Sequence, residues 1–206
     1  MTNNTITPLF SIPLYHTNLG RDLDSEEKKY VEENCQDTIE NLGKNLTSKN
    51  TYVLNNSKFK NLKDFFISHV AKYFEEVISI KNNLQPYITQ SWINYNNKNQ
   101  EHHIHMHQNS IISGVFYVNS RIENDSIYFK KDDDQIFFNQ IKQYNKYNCN
   151  EFRIPVETGL LLLFPSNLKH FVKTNKKDYT RISLSFNVFV KGTIGSTDSL
   201  NELILI

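Results

Sequence analysis

Residues 101–118, EHHIHMHQNSIISGVFYV, set the terms on which the rest of the chain is read. His102, His103, His105 and His107, four of the seven histidines, crowd into the start of this stretch. In a strand, residues two apart face the same side with Cα atoms about 6.5–7 Å apart. Two imidazoles so placed converge on one metal ion at about 2.1 Å each. His103, His105 and His107 share a parity, while His102 points away. The local pattern therefore offers a pair of metal ligands without saying which two. The following run, Ile111–Val118, is rich in β-branched and aromatic residues and reads as a strand.

On either side the texture differs. After Pro86, short β-rich runs follow one another: Ile88–Tyr95, Ile104–His107, Ile111–Val118, Ser126–Phe129, Glu151–Pro155, Leu160–Phe164, His170–Val172 and Thr180–Val190. Many short strands with polar connections mean a sandwich, barrel or jelly roll. Before Pro86, Leu9–Tyr15 reads as an extended strand, and helices are expected over about Ser25–Leu42 and Leu62–Ile80. Glu26 and Glu27 suit the first turn of the earlier helix, and Gly43 sits where a C-terminal glycine is expected. In the later one Phe65, Phe66, His69, Val70, Tyr73, Phe74 and Val77 recur at helical spacing. His69, on that apolar face, reads as a packed histidine and not as a ligand. Helices first and strands after is the α+β pattern, with N-terminal helices packed on the outside of the sheet. The expected organisation is one domain over 1–206, with strand and supporting helices in 1–86 and the β core in 87–206. The Asp132-Asp133-Asp134 run in the polar connection Lys130–Asn150 reads as a solvated turn.

Composition narrows the function. The 206 residues are 38% hydrophobic, with 14 Phe, 11 Tyr and one Trp, and they carry a net charge of +1. That balance gives no nucleic-acid signal. No run approaches the roughly 18 apolar residues of a membrane span, and Met1–Pro8 lacks signal-peptide character. Two cysteines, Cys35 and Cys149, do not make a disulfide framework, so a reducing, cytoplasmic setting is expected.

A third metal ligand has to come from elsewhere in the chain. His170 follows the apolar run Leu160–Phe164 and the turn at Pro165, which puts it at the mouth of a sheet. Arg181 comes next, in a strand where Arg181, Ser183 and Ser185 face one way and Ile182, Leu184 and Phe186 the other. A guanidinium and a hydroxyl facing into a pocket suit a carboxylate, held by a bidentate ion pair and a further hydrogen bond.

The order of these pieces resembles the 2-oxoglutarate/Fe(II)-dependent oxygenases, in particular bacterial and phage members with an H-x-H-[PQ]-x-S-x-x-S-G-V-x-Y-V core. Here that core runs from His105-Met106-His107-Gln108 through Ser110, Ser113-Gly114-Val115 and Tyr117-Val118. Leu9-Phe10 with Pro13, Trp92 with Asn94, Gly159, Leu163-Phe164-Pro165-Ser166 with His170, and Arg181–Asn187 also fit in order. The resemblance implies a double-stranded β-helix, a cupin-like jelly roll, that uses Fe(II), 2-oxoglutarate and O2. It implies oxidative decarboxylation to succinate and CO2, coupled to hydroxylation of a substrate. It assigns His105, His107 and His170 as the catalytic metal ligands, Arg181 and Ser183 as the 2-oxoglutarate anchor, and Tyr117 or Tyr95 as a further hydroxyl in that pocket.

The wider superfamily carries a carboxylate where His107 stands. Glu101, in the parity of His103, is the local carboxylate offered as an alternative to it. The rival reading is a three-His cupin-type metalloprotein, either a 2-oxoglutarate-independent dioxygenase or a Zn-stabilised binding module. Arg181 with Ser183 argues against it. The substrate class stays open among small metabolite, peptide and nucleotide, and self-association as a homodimer stays open too.

Overall fold

From Gln85 onward the chain passes back and forth between two facing sheets. The computed structural model describes residues 5–81, 83–131 and 141–206. Ahead of this winding come β1 (Tyr15–Asn18), α1 (Ser25–Cys35), β2 (Thr38–Glu40), β3 (Leu46–Ser48) and α2 (Lys60–Tyr73), the last extended by a π-helical turn over Phe74–Ile78. Then follow β4 (Gln85–Asn96), β5 (His102–His105), β6 (Ile112–Asn119), β7 (Ser126–Lys130), β8 (Glu151–Pro155), β9 (Leu160–Pro165), β10 (Lys169–Val172), β11 (Arg181–Ile194) and β12 (Leu203–Leu205). The large sheet has the order β1-β9-β6-β11-β4-β3-β2, with β12 against β11, and the small one has β5-β10-β7-β8. Strands β4, β6, β9 and β11 thus lie in one sheet and β5, β7, β8 and β10 in the other. This alternate, wholly antiparallel winding is the double-stranded β-helix, and the α+β reading holds.

The period of two along each strand separates two cores. In β11, Leu184, Phe186 and Val188 face the helices, where they meet Ile112, Phe116, Leu161 and Leu163. Phe66 of α2 stacks on Phe186 at 5.0 Å and tilts against Phe116 at 5.3 Å, which fixes the helix to the back of the large sheet. The opposite faces of the same strands carry Val115, Tyr117, Leu162 and Phe164, packed with Ile127 and Phe129 of the small sheet. Arg181, Ser183 and Ser185 share this inner side and are buried. Gly114 has a steric reason: a Cβ there would lie 2.1 Å from the Phe186 ring.

Three elements differ from the sequence reading. Helix α1 stops at Cys35, and Thr38–Glu40 leaves helical geometry to pair with Leu46–Ser48, which in turn pairs with β4. Sheet extension outweighs the local helical preference here. Gly43 consequently caps no helix. It lies in the β2–β3 hairpin, where a Cβ would come within 2.3 Å of the Glu101 carbonyl oxygen. At the N-terminus the strand begins only at Tyr15, and Leu9, Phe10 and Ile12 are exposed. His69 does pack as expected, sharing a 2.7 Å hydrogen bond with the Tyr15 hydroxyl and lying edge-on to Phe65. Val77 of the predicted apolar face is exposed. Asp132–Asp134 lies outside the described residues.

Candidate active site

His105, His107 and His170 come from three separate places and meet at one end of the space between the sheets. His105 ends β5 and pairs with His170 of β10. His107 lies just beyond β5, on the loop that leads into β6. Their potential ligand atoms all lie within 4.8 Å of one another.

Hydrogen bonding at the far nitrogen of each ring fixes which atom faces the centre. His105 Nδ1–H donates to the carbonyl of His103 at 2.8 Å, His170 Nδ1–H to the carbonyl of Leu168 at 2.9 Å, and His107 Nδ1–H to Oδ1 of Asn187 at 2.5 Å. With Nδ1 protonated in all three, Nε2 keeps its lone pair, as a metal-ligating histidine needs. Burial lowers all three pKa values, to about 4 for His105 and about 3 for His170, with His107 also below its usual value. The rings are neutral near pH 7 and ready as donors. The donor set therefore fits a divalent transition metal, with three imidazoles and no carboxylate.

The loop that carries His107 is pinned by serines of the core motif. Ser113 and Ser166 share a 2.9 Å hydrogen bond, and the Ser166 hydroxyl donates to Ser110 at 2.7 Å. The backbone N–H of His107 donates to the Ser166 carbonyl at 2.9 Å. This network gives the S-x-x-S spacing and the Pro165-Ser166 turn a physical role: they hold the loop against the end of β9.

Behind the histidines, the inner cavity runs between the sheets to Arg181, past Tyr117, Ser183 and Val115. Arg181 is 2% exposed, and its Nε has no hydrogen-bond partner among the described residues. Its guanidinium lies over the Tyr117 ring, 5.2 Å from the centroid. The Tyr117 hydroxyl is buried, is also without a partner, and has its pKa raised to about 12 by that burial. A buried cation beside an unsatisfied hydroxyl needs an anion, because burying an unpaired charge is strongly unfavourable. The chemistry of the lining thus suits a small dicarboxylic or oxo-acid ligand between the three imidazoles and Arg181.

Two sequence expectations fail here. Tyr95 stands on the helix side of β4 and donates its hydroxyl to the Val31 carbonyl at 2.6 Å, away from the cavity. Strand parity fails for His102. The β5–β10 pairing sets His105 opposite His170 and His102 opposite Val172, three residues against two, which is an irregular register. A bulge of this kind turns the outward residue inward. His102 stacks on His105 at 4.5 Å and lines the inner cavity, whereas His103 does not reach it. Glu101 is exposed and accepts from Thr174 at 2.8 Å, so it offers no carboxylate to the centre. Asn187 was legible through its parity with Arg181, Ser183 and Ser185, but an amide carries no metal-site signal of its own.

Residues 90–187, spanning β4 to the middle of β11 and so all three histidines and Arg181, match a family model described as "Putative 2OG-Fe(II) oxygenase". Over that stretch, just under half of its length, the chain is similar to the 2-oxoglutarate/Fe(II)-dependent oxygenases. Fe(II), 2-oxoglutarate and O2 are the cofactor and co-substrates of this family. No curated protein gave a significant sequence match.

Solved structures share the fold of this chain. HygX from Streptomyces hygroscopicus, crystallised with nickel, 2-oxoglutarate and hygromycin B, is 11% identical over 86% of this chain and 82% of its own, with a TM-score of 0.57. A Pseudomonas putida prolyl-4-hydroxylase is 10% identical over 86% and 93%, with a TM-score of 0.56. A 2OG-Fe(II) oxygenase family oxidoreductase from Burkholderia pseudomallei is 11% identical over 80% and 78%, with a TM-score of 0.53. No helix among the described residues is long and apolar enough to cross a membrane.

Proposed function

We propose that this oxygenase hydroxylates its substrate at a centre in which His105, His107 and His170 hold Fe(II) through Nε2 and Arg181 receives the distal carboxylate of 2-oxoglutarate. The observation that carries the proposal is the buried Arg181, whose Nε has no hydrogen-bond partner among the described residues, at the far end of the cavity that begins at the three imidazoles. Bound Fe(II) supplies the redox chemistry with O2. The overall reaction joins 2-oxoglutarate, O2 and a substrate C–H bond to give succinate, CO2 and an alcohol.

The protein binds, orients and excludes water. Arg181 neutralises the carboxylate in a low-dielectric pocket, where a bidentate pair is strong. The Tyr117 and Ser183 hydroxyls offer donors to the same carboxylate. Val115 and Ile127 close the wall between the sheets, and Phe164, edge-on to His170 at 4.9 Å, holds that ring in place. A cytoplasmic location belongs to this proposal and is supported by two free cysteines.

An all-imidazole donor set is equally acceptable to zinc, which keeps the Zn-stabilised binding module as the second reading. The test is anaerobic titration with Fe(II) and then 2-oxoglutarate, followed by succinate release on admitting O2. His170→Ala is expected to abolish metal binding. Arg181→Ala is expected to spare the metal and weaken 2-oxoglutarate at least 100-fold. Tight zinc retention with no 2-oxoglutarate binding by the iron form would establish the second reading instead.

A further inference from the structure

A second cavity of about 310 Å³ opens to solvent directly over the histidines. His105 and His107 form its floor, and Trp92, Asn41, Thr51 and Gln108 stand around its rim. It is the approach by which a substrate reaches the centre while 2-oxoglutarate occupies the inner cavity, so the inference below rests on the function proposed above.

The mouth contrasts with its surroundings. Among the described residues no Asp, Glu, Lys or Arg side chain lines it, in a protein that is 22% charged. The charges lie across β5, in a separate groove of about 490 Å³ that presents Lys130, Lys173, Lys176, Glu101 and Glu151. A charged substrate group entering the mouth would lose water and meet no charged side chain among the described residues. The rim instead offers amides and a hydroxyl. Asn187 spends its Oδ1 on His107, while its Nδ2 makes no hydrogen bond among the described residues, and the residue lines the cavity. Gln108 is exposed with its amide free, and half-buried Trp92 provides a flat apolar wall whose ring centroid is 5.6 Å from that of His107.

We infer that the mouth takes an uncharged, planar, amide-bearing group, a carboxamide or lactam that stacks on Trp92 and accepts through its carbonyl from the Nδ2–H of Asn187. An aromatic face is a sequence-tolerant platform for a flat π-system, and the amide rim matches both edges of an amide with donors and acceptors.

Trp92 is the single tryptophan in the chain and lines both this cavity and the inner one, so its fluorescence is read from a baseline in which the inner cavity is already filled. The experiment uses full-length protein saturated under nitrogen with Zn(II) and 2-oxoglutarate. Their binding is measured first, so that Arg181 is occupied and a failure of the parent proposal shows before any probe is added. Benzamide, benzoate and benzamidinium are then titrated as matched neutral, anionic and cationic probes, with cyclohexanecarboxamide as the non-planar control. Benzamide is expected to change Trp92 emission saturably, with an affinity at least tenfold tighter than the two ions and tighter than the non-planar amide. Gln108→Lys, a change at an exposed side chain, is expected to improve benzoate at least tenfold relative to benzamide. Equal or better binding of either ion, no saturable response to benzamide below 10 mM (about 100-fold weaker than a typical metabolite affinity), or no gain for benzoate in Gln108→Lys would overturn the inference.

Discussion

The Nδ1–H of His107 donates to Oδ1 of Asn187 at 2.5 Å, tying a histidine on the loop after β5 to the inner face of β11. His105 and His170 are held by backbone carbonyls close to them in sequence. His107 alone depends on a side chain from a distant strand, which makes Asn187 the point at which the metal geometry is most easily disturbed.

Replacing Asn187 with Leu should therefore free the His107 ring while leaving the sheet intact. Loss of such an outer partner lowers metal affinity about 10–100-fold. Competition of Co(II) or Zn(II) against a chelator measures it, and circular dichroism checks the fold. Asn187→Asp keeps an acceptor at the same place and should lose far less. Equal loss in the two variants would mean that Asn187 acts by some other route.

Arg181 carries the opposite balance between stability and function. Its buried charge forms no ion pair among the described residues and its Nε no hydrogen bond, so an apolar replacement of similar length removes a desolvation penalty. Arg181→Met is expected to raise the thermal midpoint of the metal-free protein by a few degrees while abolishing its stabilisation by 2-oxoglutarate. Adding 2-oxoglutarate with Zn(II) should raise the midpoint of the wild type and leave that of Arg181→Met at the metal-only value. A variant less stable than the wild type in the ligand-free state would show that Arg181 has a structural role.

Much of this arrangement was legible in the sequence, and the failures are local. The period of two from Arg181 to Phe186 separates cavity from core correctly, because β11 is paired on both sides and has no freedom to turn. The same rule misplaces His102, because β5 is short and its register with β10 is irregular. Parity also left His103, His105 and His107 competing for two places. In the fold, His107 lies beyond the end of β5, and its position comes from the serine network and Asn187. Tyr95 went wrong for want of a face assignment for β4, whose helix side is recognisable only once α1 and α2 are packed against it. The Thr38–Glu40 hairpin strand was hidden because three residues carry too little local preference to oppose a helical neighbour. What makes it a strand is the open edge of β4, which is known only from the tertiary structure.

Gly114, in the core motif, should tolerate no side chain. Its Cβ would fall 2.1 Å from the Phe186 ring, which is itself held by Phe66. Gly114→Ala is expected to lower unfolding free energy by about 1–3 kcal/mol, the usual range for overpacking a close-packed core. Urea denaturation measures it. Adding Phe186→Leu should recover part of the loss, since it removes the atoms that clash. A double variant no better than the sum of the two single losses would place the strain elsewhere.

The buried histidines should make the metal-free protein sensitive to mild acid. Burial lowers the pKa of His170 to about 3 and that of His105 to about 4, from an ordinary 6.5. Below pH 6.5 the unfolded chain takes up protons at these positions that the folded chain still refuses. Stability therefore rises with pH across this window and is lost progressively as pH falls from about 6.5 toward 4. The thermal midpoint of the metal-free protein is expected to be level above pH 7.5 and to decline between pH 7 and 5, where most carboxylates are still ionised. His170→Leu removes one of the refusing sites, which also include His102, His105 and His107, and fills a wall already made by Phe129 and Phe164, so its midpoint should fall less steeply over the same interval. Parallel slopes in wild type and His170→Leu would locate the acid sensitivity outside this site.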